Sequence, residues 1–96
     1  MIEVRDTPEF RRWLADLRDP QAIARIAARV RRLAFGNPGD VKPVGGGLSE
    51  LRIRYGPGYR VHFVRRGAEL IVVLGGGDKT TQSRDIKEAK ALAEKL

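Results

Sequence analysis

The chain has 96 residues, which is enough for one modest hydrophobic core, so we treat residues 1–96 as a single domain. It contains no cysteine and one histidine, which excludes disulfides, thiolate zinc sites, cysteine nucleophiles and histidine-based metal clusters, and we expect neither a metal nor a cofactor. Its 19 lysines and arginines against 12 acidic residues give a net charge of +7, which favours a polyanionic partner, nucleic acid first.

The first third of the chain predicts a short strand followed by two helices. Ile2 and Val4 alternate with polar residues, as in a strand. Thr7-Pro8-Glu9 carries three helix-start signals, and the aromatic and leucine residues that follow have the spacing of a buried helical stripe. Asp19-Pro20 ends this helix and caps a second one, which Gly36 terminates. We predict an antiparallel helical hairpin packed on one face of a sheet.

The second helix carries the densest group of cations, which lie mostly off its apolar stripe. Our first interpretation is a solvated helix face; the alternative is attraction for RNA phosphates. The candidate RNA-binding residues on this helix and further along the chain are Arg25, Arg29, Arg32, Arg65 and Arg66. The segment Asn37–Gly47 that follows the helix is rich in proline and glycine, and we predict a connection without regular structure.

A hairpin at the centre of the sequence is the strongest structural signal. Apolar residues alternate with Arg52 and Arg54 before the turn Gly56-Pro57-Gly58, and with Arg60 and His62 after it. A three-residue loop would place Arg54 opposite Arg60 and Arg52 opposite His62, with all four on one face. Like charges directly opposite on a sheet are destabilising, so a bound anion would relieve this patch.

The rest of the chain completes the predicted sheet. The continuous apolar run Leu70–Leu74 is typical of a strand shielded on both sides. Gly75-Gly76-Gly77-Asp78-Lys79 is not a nucleotide-binding loop, because Asp78 interrupts the Gly-Lys step. We expect Lys79 at the edge of the cationic patch, just before a last helix. The predicted fold class is α+β, a small, mainly antiparallel four-stranded sheet with an N-terminal helical hairpin and a C-terminal helix, in the order β-α-α-β-β-β-α.

Membrane insertion and secretion are not expected. The longest apolar run has far fewer residues than the roughly 18 that a membrane span needs. Met1 to Arg5 is predicted to form a strand, so no signal sequence is expected before the fold, and we expect a cytoplasmic protein.

The segments L-R-I-x-Y-G-P-G-Y-R-V at 51–61 and G-G-D-K-x-T-Q at 76–82, together with the element order, resemble the RelE/ParE toxin superfamily of bacterial toxin-antitoxin modules. The chain is most similar to its HigB-like "addiction module killer" branch, which is phage-derived and Gp49-like, and the resemblance covers nearly the whole chain. It implies a small antiparallel sheet under helices, ribosome-dependent mRNA cleavage and a cognate antitoxin. In the ParE branch the target is DNA gyrase instead.

The resemblance also implies site residues. Two basic residues spaced i and i+2 on the strand before the hairpin match Arg52 and Arg54, the arginine of the G-Y-R step matches Arg60, and a basic residue after the last strand matches Lys79. The C-terminal tyrosine of RelE and the histidine and acidic residues of HigB-type toxins have no counterparts here.

The chemistry of these side chains indicates a different role for each type of candidate. The planar fork of arginine binds phosphate oxygens bidentately and stays charged, so Arg52, Arg54 and Arg60 suit the charge that develops on a cleaved phosphate. Arginine transfers protons poorly because its pKa exceeds about 12. Lys79 and His62 are therefore the candidate proton carriers, and the alternative for His62 is an ordinary surface residue.

We predict a toxin that acts as a metal-independent endoribonuclease on mRNA in the ribosome and inhibits translation. The alternatives are a gyrase poison on the same fold and a nucleic-acid-binding module without catalysis. The partner that the resemblance implies is a small antitoxin with a helix-turn-helix, whose acidic segment either covers Arg52, Arg54 and Arg60 or displaces the last helix.

Overall fold

The computed structural model describes residues 1–96, in which five strands and three helices follow one another along the chain. The strands are β1 (Glu3–Asp6), β2 (Val41–Gly45), β3 (Leu48–Ile53), β4 (Tyr59–Arg66) and β5 (Leu70–Asp78), and the helices are α1 (Pro8–Asp16), α2 (Pro20–Arg32) and α3 (Gln82–Lys95). Short 3-10 turns follow α2 and precede α3. The predicted α+β class is confirmed. None of the helices combines the length and apolar character needed to cross a membrane.

The five strands form one sheet in the order β1-β5-β4-β3-β2. β1 pairs in parallel with β5, and all other neighbours are antiparallel. The sheet is thus mainly antiparallel, as predicted, but it has five strands rather than four.

The additional strand, β2, lies inside the segment predicted to be a connection without regular structure. It pairs with β3 at the edge of the sheet, where Pro43 is tolerated because an edge strand does not need every N–H. Gly46 and Gly47 both adopt positive φ and join β2 to β3 through a two-residue hairpin turn. A Gly-Gly pair is a recognised signal for such a turn, but Pro43 and a glycine-rich composition masked the short strand before it.

The helices cover opposite faces of the sheet. α1 and α2 form the predicted hairpin over a core that includes Phe10, Ile26, Leu51 and Val73. α3 lies on the other face, where Ala89 and Ala93 pack with residues of the sheet. β5 lies between β1 and β4 and contributes side chains to both cores, which explains its continuous apolar run.

α1 and α2 begin at capping side chains, and the short 3-10 turn that leads into α3 has one as well. Thr7 Oγ1 accepts a hydrogen bond from the Phe10 N–H at 3.2 Å, and Asp19 Oδ1 accepts one from the Gln21 N–H at 2.9 Å. Asp78 Oδ1 accepts the Thr80 N–H at 2.8 Å, while Thr81 Oγ1 accepts the Asp78 N–H at 3.2 Å, so the turn before α3 has a capping box. The caps at Thr7 and Asp19 agree with the predicted helix starts.

Two of the three consecutive glycines on β5 allow close packing, one on each face of the sheet. A Cβ atom on Gly76 would overlap the Trp13 ring on the face of α1, and one on Gly77 would overlap the Asp85 carboxylate on the face of α3. A Cβ on Gly75 would meet nothing within 4 Å. Gly76 and Gly77 are therefore required for packing rather than for phosphate binding.

We expect Gly76→Ala and Gly77→Ala to destabilise the protein by about 1–3 kcal/mol each, because overpacking forces the ring or the carboxylate to move. Gly75→Ala is the matched control and should be neutral or slightly stabilising, since a methyl group there meets open space and restricts the unfolded chain. Urea denaturation at neutral pH measures the three free energies of unfolding. Equal midpoints for the three variants would contradict this account of the glycines.

Two of the capping aspartates should also make the fold sensitive to acid. A hydrogen bond from Tyr55 holds the pKa of Asp19 below its ordinary value, and hydrogen bonds from Thr80 do the same for the pKa of Asp78. Their contribution is complete above the unfolded-state value of about 3.9 and is lost as the pH falls through the lower folded-state pKa. In Asp19→Asn and Asp78→Asn the cap is kept but cannot titrate, so urea denaturation from pH 7 to pH 3 should give a shallower loss of stability than in the native chain. The prediction fails if all three proteins lose stability in parallel.

Candidate functional site

A groove of about 600 Å³ opens at the end of the sheet where β3 ends, β4 begins and β5 leads into α3. Arg52, Arg54, Arg60 and Lys79 line it, together with Asp40 and the β3–β4 loop. Its volume lies within the range of about 300–1,000 Å³ that is usual for ligand sites. Four cations with one carboxylate make this groove attractive to an anion.

The pairing of β3 with β4 differs from the predicted register. The loop has five residues, Arg54–Gly58, rather than three, so Arg52 pairs with Arg60 and Glu50 pairs with His62. Gly56 and Gly58 adopt positive φ, and the Gly58 N–H bonds to the Tyr55 carbonyl at 3.1 Å, which closes the longer loop. A shift of two residues keeps every side chain on its predicted face. It removes Arg54 from the strand, however, and leaves its side chain 89% exposed.

Glu50 lies between the two arginines that face each other across the strands. It is fully buried, and its Oε1 lies 3.3 Å from Arg52 Nε and 3.6 Å from Arg60 Nε. Arg60 is itself only 8% exposed, and its Nε has no hydrogen bond. The like charges are therefore relieved in part by a carboxylate of the chain itself.

The same carboxylate binds His62 and Gln82. His62 Nε2 lies 2.9 Å from Glu50 Oε2, and Gln82 Nε2 donates to both carboxylate oxygens at 2.8 and 2.9 Å. His62 is fully buried, and its Nδ1 has no partner. The expected position of His62 on an exposed cationic face is wrong, because the predicted register put it opposite Arg52 and gave no sign that Gln82 at the start of α3 covers this part of the face.

These contacts determine the ionisation of Glu50. Burial by itself would raise its pKa, but the hydrogen bonds from Gln82 and His62 and the contact with Arg52 outweigh burial and lower the pKa. Glu50 is therefore an anion at neutral pH. Since an ionised carboxylate only accepts hydrogen bonds, His62 donates through Nε2.

The loop at the rim of the groove is held by the turn between α1 and α2. Tyr55 donates its hydroxyl hydrogen bond to Asp19 Oδ2 at 2.7 Å, which raises the pKa of Tyr55, and the Arg25 guanidinium lies 4.6 Å from its ring centroid. Arg25, a predicted RNA-binding residue, thus stacks on a loop side chain. The stem of Lys79 fills the space beside Gly58, where a Cβ atom would crowd it at 2.8 Å.

Arg29, another predicted RNA-binding residue, points into the protein. It donates to the carbonyl oxygens of Arg52 at 2.9 Å, Pro38 at 3.0 Å and Asp40 at 3.1 Å. Burial lowers the pKa of Arg29. Its role is to fasten the segment before β2 to the end of β3, where the Arg52 N–H also bonds to the Asp40 carbonyl at 2.9 Å.

The remaining predicted RNA-binding residues lie outside the groove. Arg32 donates to the Asn37 carbonyl at 3.1 Å, and Arg66 donates to the Ala93 carbonyl near the end of α3 at 2.6 Å. Arg65 donates to the carbonyls of the β4–β5 turn, the nearer at 2.9 Å. Arg65 and Arg66 lie at the opposite end of β4 from Arg60, about 17–20 Å away at the rise of an extended strand.

Sequence reasoning missed two acidic residues of the site. Glu50 is two residues before Arg52 on β3 and therefore lies on the same face of the sheet. The alternation of polar and apolar residues was enough to predict this position, but it did not predict that Glu50 is buried. Asp40 lies in the segment predicted to lack structure. Its Oδ2 is 3.4 Å from Arg54 Nε and has no hydrogen bond.

The chain matches a known protein family. The profile of the family described as phage-derived protein Gp49-like matches residues 12–96. An uncharacterized protein of Haemophilus influenzae is 48% identical over 95 residues, which are 99% of this chain and 96% of that protein. Its sequence likeness thus extends over the strands and helices that build the groove.

A solved structure shares the fold. A chain of the toxin-antitoxin complex RelBE2 from Mycobacterium tuberculosis aligns with a TM-score of 0.64 and 23% identity, over 81% of this chain and 98% of that chain. The resemblance to the RelE/ParE superfamily noted in the sequence is confirmed in the fold. The chain belongs to the phage-derived Gp49-like family and has a RelE-like fold.

Proposed function

We propose that this protein is the toxin of a type II toxin-antitoxin module and that it cleaves mRNA in the ribosome, which stops translation in the cytoplasm. The observation that carries the proposal is the convergence of Arg52, Arg54, Arg60 and Lys79 on one groove. The Gp49-like family and a fold shared with a chain of a toxin-antitoxin complex support it.

The arginines supply the charge stabilisation that RNA cleavage needs. When the 2′-oxygen attacks the neighbouring phosphorus, negative charge accumulates on the phosphate oxygens. Arg52 and Arg60 lie on paired positions of adjacent strands and offer fixed donors, whereas the exposed Arg54 can follow the substrate as it binds. Donors fixed in advance where charge develops contribute strongly to catalysis.

Proton transfer falls to Asp40, which forms no side-chain hydrogen bond and has only the exposed Arg54 as an ion-pair partner, and to Lys79. His62 is buried, and the Tyr55 hydroxyl is bonded to Asp19, which leaves Asp40 and Lys79. Asp40 takes the proton of the 2′-hydroxyl as its oxygen bonds to phosphorus. The bond from phosphorus to the 5′-oxygen breaks, and that oxygen takes a proton from Lys79. The products are a 2′,3′-cyclic phosphate and a 5′-hydroxyl, and the scheme uses no metal ion.

The ribosome supplies what this small site lacks. The groove holds groups for gripping a phosphate and moving protons, but an open groove does not by itself align the 2′-oxygen with the scissile bond. Alignment by the ribosome converts the reaction into an effectively unimolecular one and contributes a large part of the rate.

The proposed antitoxin recognises the same charges. An acidic segment that enters the groove would pair with Arg54 and Lys79, both exposed at its rim, and would exclude RNA. Such a partner fits a chain with a net charge of +7.

Replacing Arg60 by Ala should lower the rate of mRNA cleavage in a cell-free translation extract by about 10²–10³, the effect of losing one fixed donor. Arg52→Ala should behave similarly, and Arg54→Ala should cost less, because the Arg54 side chain is 89% exposed and has a single ion-pair partner, Asp40. Mapping of 5′ ends measures the cleavage.

Arg31→Ala is the matched control for these arginines, since Arg31 is exposed on α2 and outside the groove. Intact mRNA after addition of the native protein would overturn the nuclease proposal. Toxicity that survives replacement of Arg52, Arg54 and Arg60 together would favour the gyrase target instead.

Asp40→Asn should slow cleavage by about 10²–10⁴, the usual effect of removing a general base, while oligonucleotide binding stays equal or tightens because a negative charge is lost. Asp40→Glu should recover part of the rate, and Asp16→Asn, at an exposed aspartate of α1, is the matched control. A native rate in Asp40→Asn would exclude Asp40 as the proton acceptor.

A further inference from the structure

We propose that Glu50 is a positioning residue whose buried charge holds the guanidinium groups of Arg52 and Arg60 side by side in the groove; the catalytic part of this inference rests on the proposed function. Glu50 does not line the groove and so does not contact the substrate. It acts through the two arginines.

The geometry requires such a residue. Arg52 and Arg60 are directly opposite on adjacent strands, where like charges repel. Glu50 precedes Arg52 by two residues on the same face, and its Oε1 approaches the Nε atoms of both arginines, at 3.3 and 3.6 Å. One carboxylate thus draws the two guanidinium groups together and leaves one positive charge of the pair unbalanced.

The carboxylate is held from three elements of the fold. It extends from β3, accepts a hydrogen bond from His62 on β4 at 2.9 Å, and accepts two from Gln82 of α3 at 2.8 and 2.9 Å. Because Glu50 is fully buried, no water competes for these contacts. The position of α3 is therefore linked to the orientation of the arginines in the groove.

A purely structural ion pair and a positioning residue predict different results. If Glu50 only stabilised the fold, its loss would reduce anion binding and cleavage together. If it positions the arginines, Glu50→Gln removes a negative charge from beside the groove, so anions bind more tightly, while the misplaced donors slow cleavage. Opposite changes in binding and cleavage are the signature of positioning.

The experiment compares Glu50→Gln with Glu94→Gln, which removes the same charge at an exposed site in the last turn of α3, about 18 Å along the helix from Gln82. Thermal unfolding is followed with increasing sodium sulfate, and mRNA cleavage is timed in a translation extract. We expect sulfate to raise the melting temperature of Glu50→Gln more than that of the native chain or Glu94→Gln. Cleavage by Glu50→Gln should be at least about 10²-fold slower.

A native cleavage rate in Glu50→Gln, or a sulfate response no larger than that of Glu94→Gln, would overturn the inference. If the native chain itself does not cleave mRNA, the nuclease proposal fails, and the sulfate comparison still decides whether Glu50 balances the arginine pair. If Glu50→Gln does not fold in low salt, Gln82→Met replaces it. That variant keeps the charge and loses two hydrogen bonds, so it should stay folded by circular dichroism and cleave more slowly; an unchanged rate would overturn the inference.

Discussion

The arrangement of the groove depends on one buried carboxylate between two like charges. Burial of an ion is expensive unless the ion is paired and hydrogen-bonded, and Glu50 meets this requirement through two arginines, His62 and Gln82. Glu50 in turn stabilises the arginine pair, because Arg52 and Arg60 lie directly opposite each other across the strands, where like charges repel. The register of β3 and β4, the position of α3 and the charge of the groove are therefore all linked through the contacts of Glu50.

Pairing of the arginines with acidic residues does not cancel the positive charge of the groove. Arg52, Arg54, Arg60 and Lys79 face two carboxylates, Glu50 and Asp40, which leaves a net charge of +2. The cations also differ in freedom, from the buried Arg60 to Arg54, which is almost fully exposed. A phosphate would thus meet one set of donors already in place and another that closes around it, as in sites where part of the binding energy is used to order mobile side chains.

Local patterns in the sequence predicted most of the fold, and long-range contacts account for what was missed. Helix starts at Thr7 and Asp19 and the shielded strand at Leu70–Leu74 depend on neighbouring residues and could be predicted. The length of the β3–β4 loop could not, since it depends on glycine conformations that a motif does not specify.

Local patterns also predicted part of the candidate site, and long-range contacts again account for what was missed. Alternation grouped Arg52 with Arg60, and the position of Lys79 just after the last strand predicted its place beside them. Glu50 is held by Gln82, 32 residues later in the chain, and Arg29 donates to carbonyls of a segment without a recognisable pattern. The hydrophobic period and the amino-acid composition of a sequence do not predict contacts of this kind.

The proline on β2 has a consequence for the behaviour of the protein in solution. A free sheet edge is a template for adding strands from other molecules, and such growth leads to fibrous aggregates. At the β2 edge Pro43 has no N–H to offer, and the exposed Lys42 beside it places a charge where a neighbouring chain would have to approach. The opposite edge, β1, has only four residues, three of them charged. Neither edge of the sheet favours the addition of a strand from another molecule, so the protein should resist aggregation at high concentration.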